Sequence, residues 1–181
     1  MSLDLVVGCM FSGKSTELIR IVRRLETISE NYIVIKPKID TRYSANNVST
    51  HDKVEHKCII KENLISLFED NNYMGAKHII IEEAQFFPDL EPFVLKAVDD
   101  DKKHITVVGL DGDSDRNNFG QMHKLYPLCD SIIKLKALCL QCNDGTEAIF
   151  SKRIIEEKQQ TSIGSNEKYI AVCRPCFLNN K

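Results

Sequence analysis

Residues 8–16 read Gly-Cys-Met-Phe-Ser-Gly-Lys-Ser-Thr and fit the pattern G-x-x-x-x-G-K-[ST], with Gly8, Gly13, Lys14 and Ser15 at the fixed places. Such a loop works only between a strand and a helix, so it dictates the structure on both sides. Leu3, Leu5, Val6 and Val7 supply an apolar strand before it. Leu18, Ile19, Val22 and Leu25 recur at helical spacing after it, with Arg20, Arg23 and Arg24 on the opposite face. In this setting the glycines let backbone N–H groups turn toward phosphate oxygens, and the helix N-terminus adds partial positive charge. Cys9, Met10, Phe11 and Ser12 line the same loop. Lys14 is expected at the β/γ-phosphates of a nucleotide and the Ser15 hydroxyl at Mg²⁺.

Farther along, His78-Ile79-Ile80-Ile81 reads as an apolar strand ending in Glu82-Glu83. Adjacent carboxylates after such a strand are the second part a phosphate-transfer site needs: one holds the metal shell, the other accepts a proton. Strand pleating is expected to send the two to opposite sides. The alternative is a strand running into a solvated acidic turn. Tyr32–Lys36, ended by Pro37, and Ile105–Leu110 read as further strands, and Ser131–Leu135 as the last of them. Val54–Ile60 reads as one more, and Glu62–Glu69 carries helical spacing. Asp89 is placed to cap a helix with Leu90, Phe93, Val94 and Ala97, and Asp99-Asp100-Asp101 to end it as a wet loop. Strands alternating with helices predict an α/β fold with a mostly parallel sheet.

The polar stretch from Asp40 to Asp52 has turn chemistry and no period, so it reads as a loop. Within it, Arg42 is either a clamp on transferring charge or a solvated loop arginine. The polar loop from Asp113 to Gly120 carries one aromatic, Phe119.

Seven cysteines occur in 181 residues. No leader or membrane-length apolar run is evident, so a cytoplasmic, reducing setting is expected, with thiols or metal ligands rather than disulfides. Cys139-Leu140-Gln141-Cys142 and Cys173-Arg174-Pro175-Cys176 are two C-x₂-C knuckles, which together offer four thiolates to a structural Zn²⁺. A redox role is disfavoured, because the motif is duplicated and neither copy reads as opening a helix after a strand. Cys9, Cys58 and Cys129 read as small fillers. Backbone near Gly164 is able to approach a ligand closely, and Tyr169 either lines a pocket or packs in the ribbon. The chain divides accordingly into a nucleotide-binding unit, 1–137, and a metal-binding unit, 138–181.

These stretches, with Asp-Thr-Arg-Tyr-Ser and Thr-His-Asp, Glu-Glu-Ala-Gln-Phe-Phe and Gly-Leu-Asp-Gly, together resemble the type II thymidine kinases, cellular and poxviral, and most of all the short viral members. The resemblance implies a RecA-like P-loop domain with a small zinc-ribbon lasso domain, ATP and Mg²⁺ as cofactors, and phosphorylation of the thymidine 5′-hydroxyl. It implies a homotetramer; the net charge and the lack of a membrane-length apolar run add the expectation of no nucleic-acid or membrane partner. Glu83 matches the family's catalytic base, Arg42 its arginine near the transferring phosphate, and Glu82 its metal-side carboxylate. Met10, Leu110, Phe119 and Tyr169 match the thymidine pocket. Gln160, Thr161, Ser162, Ile163 and Gly164 match the lasso segment, and Cys139, Cys142, Cys173 and Cys176 match the zinc ligands.

Three departures from the family pattern stand out. Glu82 replaces the usual Asp. Ser114 stands where a Phe stacks on thymine, a contact worth about 0.5–1.5 kcal/mol beyond area. Two extra residues lie between Cys142 and Phe150. Ser114 motivates an alternative substrate range, deoxyuridine or a wider set of pyrimidines. A third alternative, a nucleic-acid-binding P-loop or zinc-ribbon module, requires clustered basic residues. The appendage offers only Lys152-Arg153 and scattered lysines, and the net charge is −2.

Overall fold

The computed structural model describes residues 1–40, 47–49, 55–156 and 167–179. The chain opens with β1 (Ser2–Gly8), α1 (Lys14–Thr27) and β2 (Tyr32–Pro37). Two short strands, β3 (Asn47–Ser49) and β4 (Glu55–Lys57), pair antiparallel, and β5 (Ile59–Lys61) follows. A 3-10 turn (Ile65–Glu69) and α2 (Asn71–Gly75) lead to β6 (His78–Ile81), a second 3-10 turn (Ala84–Phe86) and α3 (Leu90–Leu95). Then come β7 (His104–Gly109) and β8 (Ser131–Leu135), and last the ribbon: β9 (Ala137–Leu138), β10 (Glu147–Ala148), β11 (Phe150–Arg153), β12 (Tyr169–Val172) and α4 (Arg174–Leu178).

Six strands form one parallel sheet in the order β5-β2-β6-β7-β1-β8. Pleating divides their side chains between two cores. Leu3, Leu5, Val7, Ile79, Ile81, Ile105 and Val107 face the layer that contains Phe87, Leu90, Phe93 and Val94. Val6, Val34, Ile80 and Val108 face α1, which buries Leu18, Ile19, Val22 and Leu25 against them. Each of those helix side chains contributes about 1.5–3 kcal/mol of burial. The exposed Arg20–Glu17 pair on the other face contributes far less. Among the described residues no helix is long and apolar enough to cross a membrane.

Because all six strands run the same way, their C-terminal ends share one edge. The loop after β1, Glu82 and Glu83 after β6, and Leu110 after β7 therefore meet at that edge, where open α/β sheets hold their ligands.

The structure differs from several local expectations. The single strand expected at Val54–Ile60 is two strands in different sheets, parted at Cys58. β3 falls in the stretch read as loop. Asp89 does not cap its own helix; its Oδ2 accepts from the Leu64 and Ile65 amides at 2.7 and 2.8 Å, the orphan donors of the 3-10 turn. Asp101 is no idle surface charge: it accepts from the Tyr73 hydroxyl at 2.5 Å and Lys96 at 3.0 Å. The second knuckle does open a helix after a strand, since Cys173 precedes α4 directly after β12.

Candidate active site

The Gly8–Ser15 loop lies between β1 and α1. Gly13 sits in the left-handed region at φ 83°, and the Glu17 amide donates to its carbonyl as α1 begins. A Cβ at Gly8 would lie 2.5 Å from the Leu135 carbonyl oxygen and 2.7 Å from Ser12 Oγ, so only glycine fits there. Lys14 Nζ folds back to donate to the Cys9 carbonyl at 2.8 Å. Ser12 Oγ is buried and has no hydrogen-bond partner among the described residues, which suits it to a phosphate oxygen. Cys9, Met10 and Ser12 are buried, and Phe11 is half-buried.

The two carboxylates separate by turn geometry rather than by pleat. β6 ends at Ile81, and Glu83 adopts φ 49°, ψ 41°, left-handed backbone that a non-glycine residue enters at a cost of about 1–3 kcal/mol. Glu82 is 5% exposed and accepts from the Ser15 hydroxyl at 2.7 Å, reaching across β7. A hydroxyl and a carboxylate so joined are suitable donors for a hard divalent cation. Glu83 Oε2 instead accepts from Gln85 Nε2 at 2.6 Å.

Gln85 was not singled out from the sequence, although it lies inside Glu-Glu-Ala-Gln-Phe-Phe. Its Oε1 accepts from the Leu110 amide at 3.0 Å, so it ties the end of β6 to the end of β7. Phe119 is buried, with its ring edge-on to Phe86 at 5.4 Å. The Asp113 carboxylate folds the loop by accepting from the Asp115 and Asn117 amides. That leaves Ser114 buried, its hydroxyl without a partner among the described residues.

The ribbon forms one wall of the phosphate loop. The Met10 amide donates to Ser151 Oγ of β11 at 2.9 Å, and Cys9 packs with Ala137, Cys139, Ala148, Ala171, Val172 and Cys173. Burial pushes the Cys9 thiol up, which keeps it a neutral filler. Tyr169 is buried on β12 beneath the Arg153 guanidinium, 5.6 Å from the ring centroid. Arg116 spans Phe177 and Phe150, at 4.7 and 5.7 Å from their centroids, and so links the 113–120 loop to the ribbon.

The sulfurs of Cys139, Cys142, Cys173 and Cys176 all lie within 4.8 Å of one another. Cys142 Sγ is 3.7 Å from Cys173 Sγ and 3.4 Å from Cys176 Sγ. Four sulfurs at about 2.3 Å from one zinc would stand about 3.8 Å apart, so the set fits a tetrahedral ion. Burial works against a thiolate at Cys139, but amides including that of Cys173, at 3.2 Å, outweigh it and bring this thiol down to about 6. Cys176, sharing hydrogen bonds with Cys142 and Cys173, is pushed up to about 12. Four sulfurs crowded this closely are a set that a bound cation would reconcile. Arg42 and the Gln160–Gly164 segment lie outside the described residues.

The sequence profile of the thymidine kinase family matches residues 1–177. Over 179 residues the chain is 37% identical to the cytosolic thymidine kinase of Gallus gallus, covering 99% of this chain and 78% of the relative. Against the fowlpox virus thymidine kinase it is 38% identical over 182 residues, 99% and 98% of the two chains. Against the vaccinia virus (Western Reserve) thymidine kinase it is 38% identical over 178 residues, 98% and 97%.

Proposed function

The chain belongs to the thymidine kinase family and phosphorylates thymidine, and from that premise we propose that ATP supplies the γ-phosphoryl group and Glu83 is the general base. One observation carries the residue assignment: the parallel sheet brings the phosphate loop and the Glu82-Glu83 pair to one edge, with Ser15 and Glu82 in direct contact.

The loop from Gly8 to Ser15 cradles the triphosphate, with Lys14 leaving the Cys9 carbonyl for the β/γ-phosphates. Ser15 and Glu82 would hold Mg²⁺, which when bound offsets phosphate charge. Glu83 takes the proton of the 5′-hydroxyl as that oxygen attacks the γ-phosphorus in line, and Arg42 adds charge at the phosphoryl oxygens. Met10, Leu110, Phe119 and Tyr169 line the nucleoside side, and the family resemblance assigns the base to Gln160–Gly164. The four cysteines would hold Zn²⁺, which cross-links the ribbon; the division into 1–137 and 138–181 follows from it. Assembly as a homotetramer gives partners to the outer strand β8, whose Ile132 and Ile133 are exposed.

Ser114 favours a second reading of substrate range. A buried serine hydroxyl cannot stack on a base, so discrimination for thymine over uracil rests on the remaining pocket. Transfer of labelled γ-phosphate to a panel of deoxynucleosides tests both readings. Thymidine alone supports the first, thymidine with deoxyuridine the second, and no acceptor among them contradicts both.

A further inference from the structure

We propose that Gln85 is a positioning residue that fixes the direction of the Glu83 carboxylate and couples it to the loop beginning at Leu110. The inference deepens the reading of Glu83 as base and rests on it. Gln85 is 3% exposed, and both ends of its carboxamide are engaged. The Leu110 amide is a donor only, so it faces the carboxamide oxygen. That choice turns the NH₂ end toward Glu83. Reversing the group would set two donors together at Leu110 and put an amide oxygen against a carboxylate, losing both bonds. The polarity is therefore fixed, and the Gln85 NH₂ group holds Glu83 Oε2 in one direction.

The space around Gln85 is reserved from two further positions. A Cβ at Gly109 would stand 2.6 Å from Gln85 Oε1. One at Gly120 would stand 2.1 Å from the Gln85 carbonyl oxygen, where the backbone is also left-handed at φ 54°. The Phe86 amide donates to the Glu83 carbonyl at 3.1 Å and closes the same turn. Glu83 thus holds uncommon backbone and a directed side chain through a single turn whose far anchor is the loop on the nucleoside side. A displacement of Leu110 is passed to the base through one amide.

The test compares Gln85→Met in the wild-type chain and in the Glu83→Gln background, measuring kcat, KM for both substrates, ATP affinity and melting temperature. Gln85→Met is expected to lower kcat about 10- to 100-fold, the scale of a misdirected reacting group, with ATP affinity held within about twofold. In single-turnover measurements on Glu83→Gln it should cost nothing further, because its effect passes through Glu83. Equal cost in both backgrounds, or an unchanged kcat, would overturn the proposal. Should Gln85→Met not fold, Gly120→Ala displaces the same turn with the amide intact; it is expected to lower kcat with ATP affinity kept, and a normal kcat would overturn the proposal. Glu83→Gln that still turns over normally removes the base assignment itself, whereas an inert Glu83→Gln beside an active Gln85→Met removes only the role given to Gln85.

Discussion

Replacing Ser151 with alanine should loosen the phosphate loop from outside the loop. The Met10 amide donates to Ser151 Oγ in a buried setting, and the variant leaves that N–H with no acceptor. An unsatisfied buried donor costs about 1–3 kcal/mol. For a chain of this length that is a fall in melting temperature of about 2–12 °C. The same energy expressed in the loop's ability to hold its shape would weaken ATP binding by up to about 5- to 150-fold. The contact from the Cys9 thiol to the Ala148 carbonyl of β10, at 3.6 Å, is a weaker polar tie and leaves β11 without one. Calorimetric titration with ATP, without nucleoside, reads the affinity, and thermal unfolding reads the stability. Ser151→Thr, which keeps a hydroxyl, should bring both back toward wild type. If Ser151→Ala matches wild type in both ATP affinity and melting temperature, the ribbon does not support the phosphate loop and the reasoning is refuted.

Three other outcomes follow from the same structure. Purified protein should carry about one zinc per chain, and stripping it should weaken ATP binding as well as nucleoside binding, since Cys9 packs with Cys139 and Cys173; elemental analysis and titration of the stripped protein check this. His78 and His104, stacked at 4.6 Å, both titrate below the usual histidine value, chiefly because burial disfavours the imidazolium. The unfolded chain therefore takes up protons first, so this contribution is complete above about pH 6.5 and is lost as pH falls toward the folded values; His78→Gln should flatten the acid side of a melting-temperature profile. Phe93→Ala, which removes a ring packed 5.1 Å from Phe68 and 5.9 Å from Tyr73, should cost about 3–5 kcal/mol in denaturant unfolding.

The sheet, α1 and the phosphate loop were legible because their signals are local: β-branched runs for the strands, and for the loop and α1 fixed glycines and a helical period within the first 27 residues. The four cysteines were legible because their spacing alone implies a shared ion. What escaped was set by partners distant in sequence. Gln85 gains its role from Leu110, 25 positions away, and Ser151 from Met10, 141 away. Nothing near either residue announces the pairing. Asp89 shows the converse: its local pattern is that of a helix cap, yet the amides of Leu64 and Ile65 reach it first. The separation of Glu82 from Glu83 was expected from pleating, but it comes from the left-handed turn at Glu83. For α4 the signal was present in the sequence, since Pro175 in the first turn marks a helix start.

The most direct test is phosphoryl transfer by Glu83→Gln beside its ATP affinity. Loss of the base should lower kcat by about 100- to 10,000-fold while ATP still binds as in the wild type, because the phosphate loop is untouched. Transfer to thymidine at the wild-type rate would contradict the account.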